Sequence, residues 1–190
     1  MANAIIYTFS GTGNTLIAAE MIKKQFETEG IKTDIYRVKN PFGEAPDPDG
    51  YDYAGFGYPI YAFNCPEIFF RFVKSLPSAP GRKAFIFKTA GEPSHFNDAS
   101  SYKLLAELKK KGFVTALEQH LLMPYNIVFR YKDSLAKQMY LYTGALCALL
   151  VKRLLAGKAP SHSTVCAIKR FRFFSGYNGR GRDLTDGFIR

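Results

Sequence analysis

The chain has 190 residues, of which 47% are hydrophobic, 15% aromatic and 22% charged. This balance fits one folded domain and excludes a disordered or collagen-like chain. Three cysteines without a C-x-x-C pair exclude a disulfide scaffold, a zinc ribbon and an iron–sulfur cluster held within the chain, so we expect a reducing, cytoplasmic setting.

Apolar runs rich in β-branched and aromatic residues alternate with segments of helical periodicity. In chain order they predict a strand at 4–9, a helix at 15–29, strands at 33–38 and 53–58, a helix at 66–76, a strand at 83–89, a helix at 99–111, a strand at 113–123 and a helix at 134–156. The first helix is followed by Gly30, a residue suited to a left-handed cap.

This alternation predicts an α/β fold with a doubly wound, five-stranded parallel sheet and helices on both faces. Ligands of such folds bind beyond the carboxyl ends of the strands, where the winding reverses. Three loops follow predicted strands and are the candidate binding loops: the first loop (10–15), the second loop (58–64) and the third loop (89–97).

The N-terminus does not predict a signal peptide, because residues 1–7 lack a basic lead and a long apolar run. The apolar stretch at 139–151 is too short to span a bilayer, which needs about 20 residues, and a buried helix explains it better.

The first loop is built to hold an anion. It combines the hydroxyls of Ser10, Thr12 and Thr15 with Gly11 and Gly13, and it contains no Lys or Arg. Because it lies between a strand and the start of a helix, exposed N–H groups and the helix dipole favour an anion there. Neutral donors alone suit a terminal phosphomonoester.

Other interpretations of this loop are weaker. A Walker loop needs Gly-Lys-Ser/Thr, which is absent. A dinucleotide loop needs a third glycine where Leu16 stands, although Asp34 lies near the expected ribose-binding distance. The remaining alternative is a helix capped by Ser or Thr, which would need only one such residue.

Ser10-Gly11-Thr12-Gly13-Asn14-Thr15 after an apolar strand resembles the FMN-phosphate loop of flavodoxins. The resemblance extends to the flavodoxin–ferredoxin fusion family over roughly residues 3–182. Its further motifs are Gly57 to Pro66 for the second flavin loop, Phe85 to Gly91 for the strand and start of the third loop, and Met123-Pro124-Tyr125-Asn126. The resemblance implies a flavodoxin-like sheet of order 2-1-3-4-5.

Members of that family continue into a ferredoxin domain that opens with closely spaced cysteines. This chain ends at Arg190, about where the first cluster ligand is expected, and carries no cluster ligands. The iron–sulfur half of the family's function is therefore not transferred to this chain.

The resemblance implies that the other two loops hold the flavin ring, whose faces need apolar or aromatic neighbours. Tyr61 is the first choice for stacking. The predicted cofactor-binding residues are Ser10, Gly11, Thr12, Gly13, Asn14 and Thr15 in the first loop, Pro59, Ile60, Tyr61, Ala62, Phe63 and Asn64 in the second, and Thr89, Ala90, Gly91 and Glu92 in the third.

No residue is predicted to act as a catalytic acid, base or nucleophile. Cys65 precedes a helix, which would lower its thiol pKa, but a small apolar role fits it better. His95, His120 and His162 are too scattered to form a metal site. Glu92 is expected to be solvated.

The positive charge is concentrated at the C-terminus. Residues 151–190 carry 9 Lys or Arg against 2 Asp or Glu, whereas residues 1–150 carry 17 against 14. We predict an FMN-binding domain at 1–160 and a basic extension at 161–190, which would serve as a linker or dock an acidic redox protein or a ferredoxin domain. Neither nucleic acid nor a membrane is expected as a partner.

The favoured function is an FMN-binding electron carrier of flavodoxin type. One alternative is an FMN-dependent reductase of quinones or other small molecules, which would sustain NAD(P)H turnover. Another is a flavin-free binding module that uses the basic extension and binds an acidic partner in a salt-dependent way.

Overall fold

The structure is a computed structural model that describes residues 2–92, 97–125 and 131–157. The elements in chain order are β1 (Asn3–Thr8), α1 (Asn14–Thr28), β2 (Lys32–Arg37), β3 (Tyr53–Pro59), α2 (Glu67–Ser75), β4 (Lys83–Ala90), α3 (Tyr102–Lys110), β5 (Val114–Leu122) and α4 (Asp133–Leu155). The nine predicted elements are present, with ends that differ by at most three residues. Gly30 has a φ of 75°, which confirms the left-handed position predicted after α1.

The five strands form one parallel sheet of order β2-β1-β3-β4-β5. Helices α1 and α4 pack together on one face, and α2 and α3 pack together on the other. This arrangement confirms the predicted doubly wound sheet and its strand order. The chain first adds β2 on one side of β1 and then β3, β4 and β5 on the other, so the winding reverses between β1 and β3.

Two apolar cores lie on the two faces of the sheet, because neighbouring residues of a strand point to opposite sides. On β1, Tyr7 packs in the core beneath α2 and α3, whereas Ile6 packs in the core beneath α1 and α4. Gly55 and Gly57 on β3 leave room for aromatic rings from β4, since a Cβ at either position would overlap Phe85 or Phe87. These rings therefore lie across β3 and fill the α1 side.

The carboxyl ends of β1, β3, β4 and β5 lie at the same end of the sheet. Thr8 pairs with Gly57, Pro59 with Thr89, and Ala90 with Leu122. We call this region the carboxyl end of the sheet. It brings the first, second and third loops side by side, as the strand pattern predicts.

In the described part of the chain, no helix combines the length and apolar character that crossing a membrane requires. The predicted basic extension at 161–190 lies outside the described residues.

Candidate functional site at the carboxyl end of the sheet

Helix α1 begins without a side-chain cap. The residue before it, Gly13, has a φ of 101° and no side chain that could cap the first turn. The hydroxyl oxygen of Ser10 instead accepts from the N–H of Gly13 at 3.1 Å. The positive end of the α1 dipole opens onto the first loop, and the choice of an anion site over a simple capped turn stays a prediction.

Asn14 and Thr15 connect the first loop to other parts of the site. The amide of Asn14 donates to the Pro124 carbonyl at 2.7 Å, and its carbonyl oxygen accepts from the Tyr140 hydroxyl at 3.2 Å. The hydroxyls of Thr15 and Thr89 share a buried hydrogen bond of 2.8 Å. Both residues thus hold the first loop against the third loop and α4, and their role as phosphate ligands stays a prediction.

A buried hydroxyl without a partner lies directly before the first loop. Thr8, the last residue of β1, is 1% exposed, and its Oγ1 has no hydrogen-bond partner. Thr8 alternates with Tyr7 and so faces the α1 side of the sheet. Because a buried unpaired hydroxyl is unfavourable, this position favours a polar ligand that reaches the start of the loop. A phosphate held by neutral donors fits this set of groups.

The second loop contains a tight turn at Tyr61–Asn64. The backbone N–H of each end donates to the carbonyl of the other, at 3.0 and 2.9 Å. The two central residues, Ala62 and Phe63, have φ values of 45° and 62°. Such a turn normally carries glycine or asparagine, so side chains at both central positions make it strained. It leaves Phe63 65% exposed at the rim of the site.

This turn places Tyr61 on the first loop. A Cβ built on Gly11 would come within 2.5 Å of the Tyr61 hydroxyl oxygen. The Tyr61 ring also meets Phe9 edge-on, with the ring centroids 6.3 Å apart. Burial raises the pKa of Tyr61, so its hydroxyl stays protonated at neutral pH. The residue chosen from sequence for stacking therefore lies beside the glycine-rich loop.

The third loop is held from two sides. Its first residue, Thr89, accepts a hydrogen bond at its carbonyl from the N–H of Ile60 at 2.9 Å, which links it to the second loop. Further along, the carbonyl of Glu92 lies 3.1 Å from Nε2 of His120 on β5. Glu92 is exposed, as predicted. Residues 93–96, including His95, lie outside the described residues.

Sequence reasoning missed a buried ion pair beneath the third loop. Lys88 Nζ lies 2.6 Å from Glu118 Oε1, and both side chains are almost fully buried. Lys88 also donates to the carbonyls of Asn97 and Asp98 at 2.9 and 3.0 Å, and the Ser101 hydroxyl donates to Glu118. The ammonium thus has three acceptors and fixes the chain where it returns from the third loop. A lysine inside an apolar strand was the available signal.

His120 and Tyr58 flank Lys88 in the strand register. Burial, aided by the Lys88 charge, lowers the pKa of His120 to about 4. Its Nδ1 is buried without a hydrogen-bond partner. A neutral ring with the proton on Nε2 satisfies the contact with the Glu92 carbonyl. His120 is therefore neutral at physiological pH and positions the third loop.

Cys65 behaves as the small apolar residue expected. It is partly buried, and burial raises the pKa of its thiol well above the usual range. A reactive thiolate is therefore disfavoured. Among residues 2–92, 97–125 and 131–157, no cluster of His, Cys, Asp or Glu could hold a metal ion. His162 and Asn126, the last residue of the Met-Pro-x-Asn motif, lie outside these ranges.

No known protein family matches the chain, and no curated protein matches it. Solved structures do match. A short-chain flavodoxin associated with a PDU bacterial microcompartment matches with a TM-score of 0.57 and 15% identity, covering 81% of this chain and 99% of the other. The fold is that of the flavodoxins.

Two further flavodoxin structures agree. The flavodoxin, WrbA-like protein from Agrobacterium tumefaciens has a TM-score of 0.56 and 14% identity, covering 83% of this chain and 100% of the other. A flavodoxin from the domain Archaea has a TM-score of 0.54 and 14% identity, covering 80% and 98%. In the flavodoxin fold, the switch point between β1 and β3 is where a ligand binds, and here the first and second loops meet at that point.

Proposed function

We propose that this chain binds FMN at the carboxyl end of the sheet and carries electrons between redox partners. The observation that carries the proposal is the uncapped start of α1, which opens onto a loop of neutral donors at the switch point and is covered by Tyr61. An anion is stabilised at such a helix start, and an aromatic side chain beside it provides a face for a flat ring.

The phosphate would be held by the first loop, with hydroxyls from Ser10 and Thr12 and backbone N–H groups from the first turn of α1. Gly11 and Gly13 give the backbone its shape. The ring would lie against residues 59–64 of the second loop and 89–92 of the third. Bound FMN supplies the electron chemistry, since it accepts and donates electrons singly or in pairs.

The protein's own groups bind and orient the cofactor and exclude water. Tyr61 is neutral, so it stacks without adding charge. An apolar, water-poor setting disfavours extra negative charge on the ring and lowers its reduction potential. Two nearby titratable groups do not serve as an acid or base: Lys88 is fully paired, and His120 is neutral with its Nε2 proton held by a carbonyl. Electron transfer needs no such group.

The finer resemblance to the flavodoxin–ferredoxin fusion family supports a redox protein as partner. We propose an acidic protein or a separate ferredoxin domain, with the basic extension at 161–190 contributing to docking through its charge. Raising the salt concentration should then slow electron transfer to such a partner.

FMN and riboflavin differ by the phosphate, and this difference tests the first loop directly. The purified protein should develop a resolved visible flavin band with FMN and bind riboflavin more weakly. In Thr12→Asp, like-charge repulsion should weaken FMN at least about tenfold while changing riboflavin affinity little. Thr28→Asp, at the far end of α1, is the control with the same charge change and should bind FMN like the parent protein.

Failure to bind either flavin at micromolar concentration would refute the proposal. Equal losses for FMN and riboflavin in Thr12→Asp would contradict the placement of the phosphate. NAD(P)H oxidation with a quinone acceptor separates the two redox functions, since a carrier should turn over slowly and a reductase steadily.

A further inference from the structure

Helix α4 carries an apolar surface that is open to solvent. Its residues 138–151 include no charged side chain. One side of this stretch packs against α1 and β5 through buried residues such as Cys147. On the opposite side, the exposed fractions are 67% for Leu141, 56% for Tyr142 and 38% for Leu149. A helix with so little polar surface is normally buried all round, so this side of α4 calls for a cover.

The exposed residues form one continuous stripe along the helix. They recur every three or four positions, which places them on the same side of an α-helix. We call this surface the open face of α4, and it consists of Leu135, Gln138, Leu141, Tyr142, Ala145 and Leu149. Its centre is shallow, because Ala145 is small and a Cβ at Gly144 would meet only open space. The open face therefore has room for large apolar side chains from another segment.

The basic extension contains a short apolar segment of matching character. Residues 165–174 have the sequence Val-Cys-Ala-Ile-Lys-Arg-Phe-Arg-Phe-Phe, with seven apolar side chains, three basic ones and no acidic one. This segment lies outside the described residues. Because exposure of so many apolar side chains to water is unfavourable, the segment also calls for an apolar surface to pack on.

The end of α4 lies within reach of the open face for a returning chain. Gly157, directly after the last turn, has a φ of 62°, a left-handed conformation that ends a helix. Tyr142 lies 15 residues before Gly157, which is about 22 Å along the helix axis. The seven residues 158–164 span up to about 23 Å when extended. Residues 165–174 can therefore lie along the open face between Leu149 and Leu141.

We propose that residues 165–174 fold back onto the open face of α4 and cover it with their apolar side chains. A tether of seven residues gives the segment an effective concentration of about millimolar, so it occupies the face ahead of a second copy of the chain. The uncharged face leaves the three basic side chains of the segment in solvent. This inference goes beyond the proposed function and does not rest on flavin binding.

This packing would give the basic extension a direction. Helix α4 starts at the carboxyl end of the sheet, where Tyr140 donates to Asn14 of the first loop at 3.2 Å, and it runs alongside α1 away from that end. A segment that returns along α4 carries the residues after 174 back towards the candidate site. Arg180 and Arg182 would then present positive charge to an acidic partner on the side where the first loop opens.

Trypsin cleavage of the full chain tests the proposal, because the extension has cleavable residues inside and beyond the segment. Lys169, Arg170 and Arg172 lie inside it, whereas Arg180 and Arg182, each next to glycine, lie beyond it. In the parent protein, cleavage at 169–172 should be at least about tenfold slower than at the two later arginines, because a packed segment must open before it is cut.

Tyr142→Gln removes apolar surface from the open face and should speed cleavage at 169–172 by roughly three- to tenfold. Tyr102→Gln is the matched control, since Tyr102 is a 50% exposed tyrosine on α3, on the other face of the sheet, and it should leave cleavage unchanged. Labelling of Cys166 with a thiol reagent, followed by peptide mass, should also be slow in the parent and in Tyr102→Gln and faster in Tyr142→Gln. Cleavage at Arg180 and Arg182 should be equal in all three proteins.

Cleavage at 169–172 as fast as at Arg180 and Arg182 in the parent protein would overturn the proposal. Equal acceleration in Tyr142→Gln and Tyr102→Gln, or none in either, would also overturn it, since the open face would then not provide the protection. Protection that disappears on dilution would assign the face to a second copy of the chain and overturn it as well. Circular dichroism confirms that the compared proteins are folded. Failure of the chain to bind flavin would leave all these readouts interpretable.

Discussion

Tyr61 and Gly11 are in direct contact, although 50 positions separate them in the chain. The hydroxyl oxygen of Tyr61 occupies the space where a Cβ of Gly11 would lie, at 2.5 Å, whereas ring atom Cζ is 3.8 Å away. Of these two Tyr61 atoms, only the hydroxyl oxygen is close enough to require glycine at position 11. The second loop therefore contacts the first loop at Gly11 through the hydroxyl oxygen of Tyr61.

This contact predicts that the cost of Gly11→Ala depends on Tyr61. In the parent protein, Gly11→Ala should lower the free energy of unfolding by about 1 kcal/mol, because the end of a flexible side chain must move aside. In Tyr61→Phe, the same change should cost nothing or stabilise by up to about 0.5 kcal/mol, since 3.8 Å is an ordinary contact. Urea unfolding of all four proteins measures this, and equal costs in both backgrounds would contradict it.

The hydroxyl pair of Thr15 and Thr89 should show strong coupling. Thr89→Val leaves the buried hydroxyl of Thr15 unpaired, and we expect a loss of about 1–3 kcal/mol of unfolding free energy. In Thr15→Val/Thr89→Val no buried hydroxyl of the pair remains, so the double variant should lose less than the sum of the single ones. Denaturant unfolding of the flavin-free protein gives the comparison, and simple additivity would argue against the hydrogen bond.

The buried ion pair should behave as one unit. Lys88→Met leaves the Glu118 carboxylate and two carbonyls without their cation, which should cost about 3–5 kcal/mol of stability. Adding Glu118→Leu should recover a large part of that loss, because an apolar pair of similar volume replaces both charges. Lys23→Met, which removes an exposed partner of Glu27, is the control and should change stability by less than about 1 kcal/mol.

His120 should make the protein less stable in mild acid. Its pKa is about 4 in the folded protein and 6.5 in its ordinary state, so the unfolded chain binds more protons between these values. The contribution of His120 is present above pH 6.5 and is lost as the pH falls toward 4, by at most about 3 kcal/mol. Unfolding across this range should show a shallower slope in His120→Gln. An unchanged slope would show that other groups account for the effect.

The fold followed from the sequence because every strand and helix carries its own periodicity. The exception is the start of α3, where the pattern predicted a helix from residue 99. Residues Asp98–Ser101 form a 3₁₀ segment instead, and α3 begins at Tyr102. Ser100 donates to the Asn97 carbonyl at 2.8 Å, and Ser101 donates to Glu118 on β5. The first contact is local, but the second reaches another strand, so a local pattern does not encode it.

The ends of the predicted strands indicate where the candidate site lies, but they do not predict the tertiary contacts within it. The position of the three loops at one end of the sheet follows from the strand pattern, and the role of Tyr61 stays a prediction. The pairing of Lys88 with Glu118 joins residues 30 positions apart on neighbouring strands. The turn at Ala62 and Phe63 could not be predicted from the sequence either, because alanine and phenylalanine do not favour a left-handed backbone. Cross-strand packing decides the ion pair, and the turn is held by the two backbone hydrogen bonds between Tyr61 and Asn64.

The hydrogen bonds of the Asn14 side chain determine at which stage of folding the first loop reaches its final conformation. Its two hydrogen bonds reach Pro124 and Tyr140, which lie 110 and 126 positions further along the chain. The residues of the first loop emerge early in synthesis, yet the loop gains these restraints only after the last strand and the last helix have docked. A growing chain therefore holds its first loop incomplete until most of the domain exists, so a ligand that needs the finished loop binds only after that point.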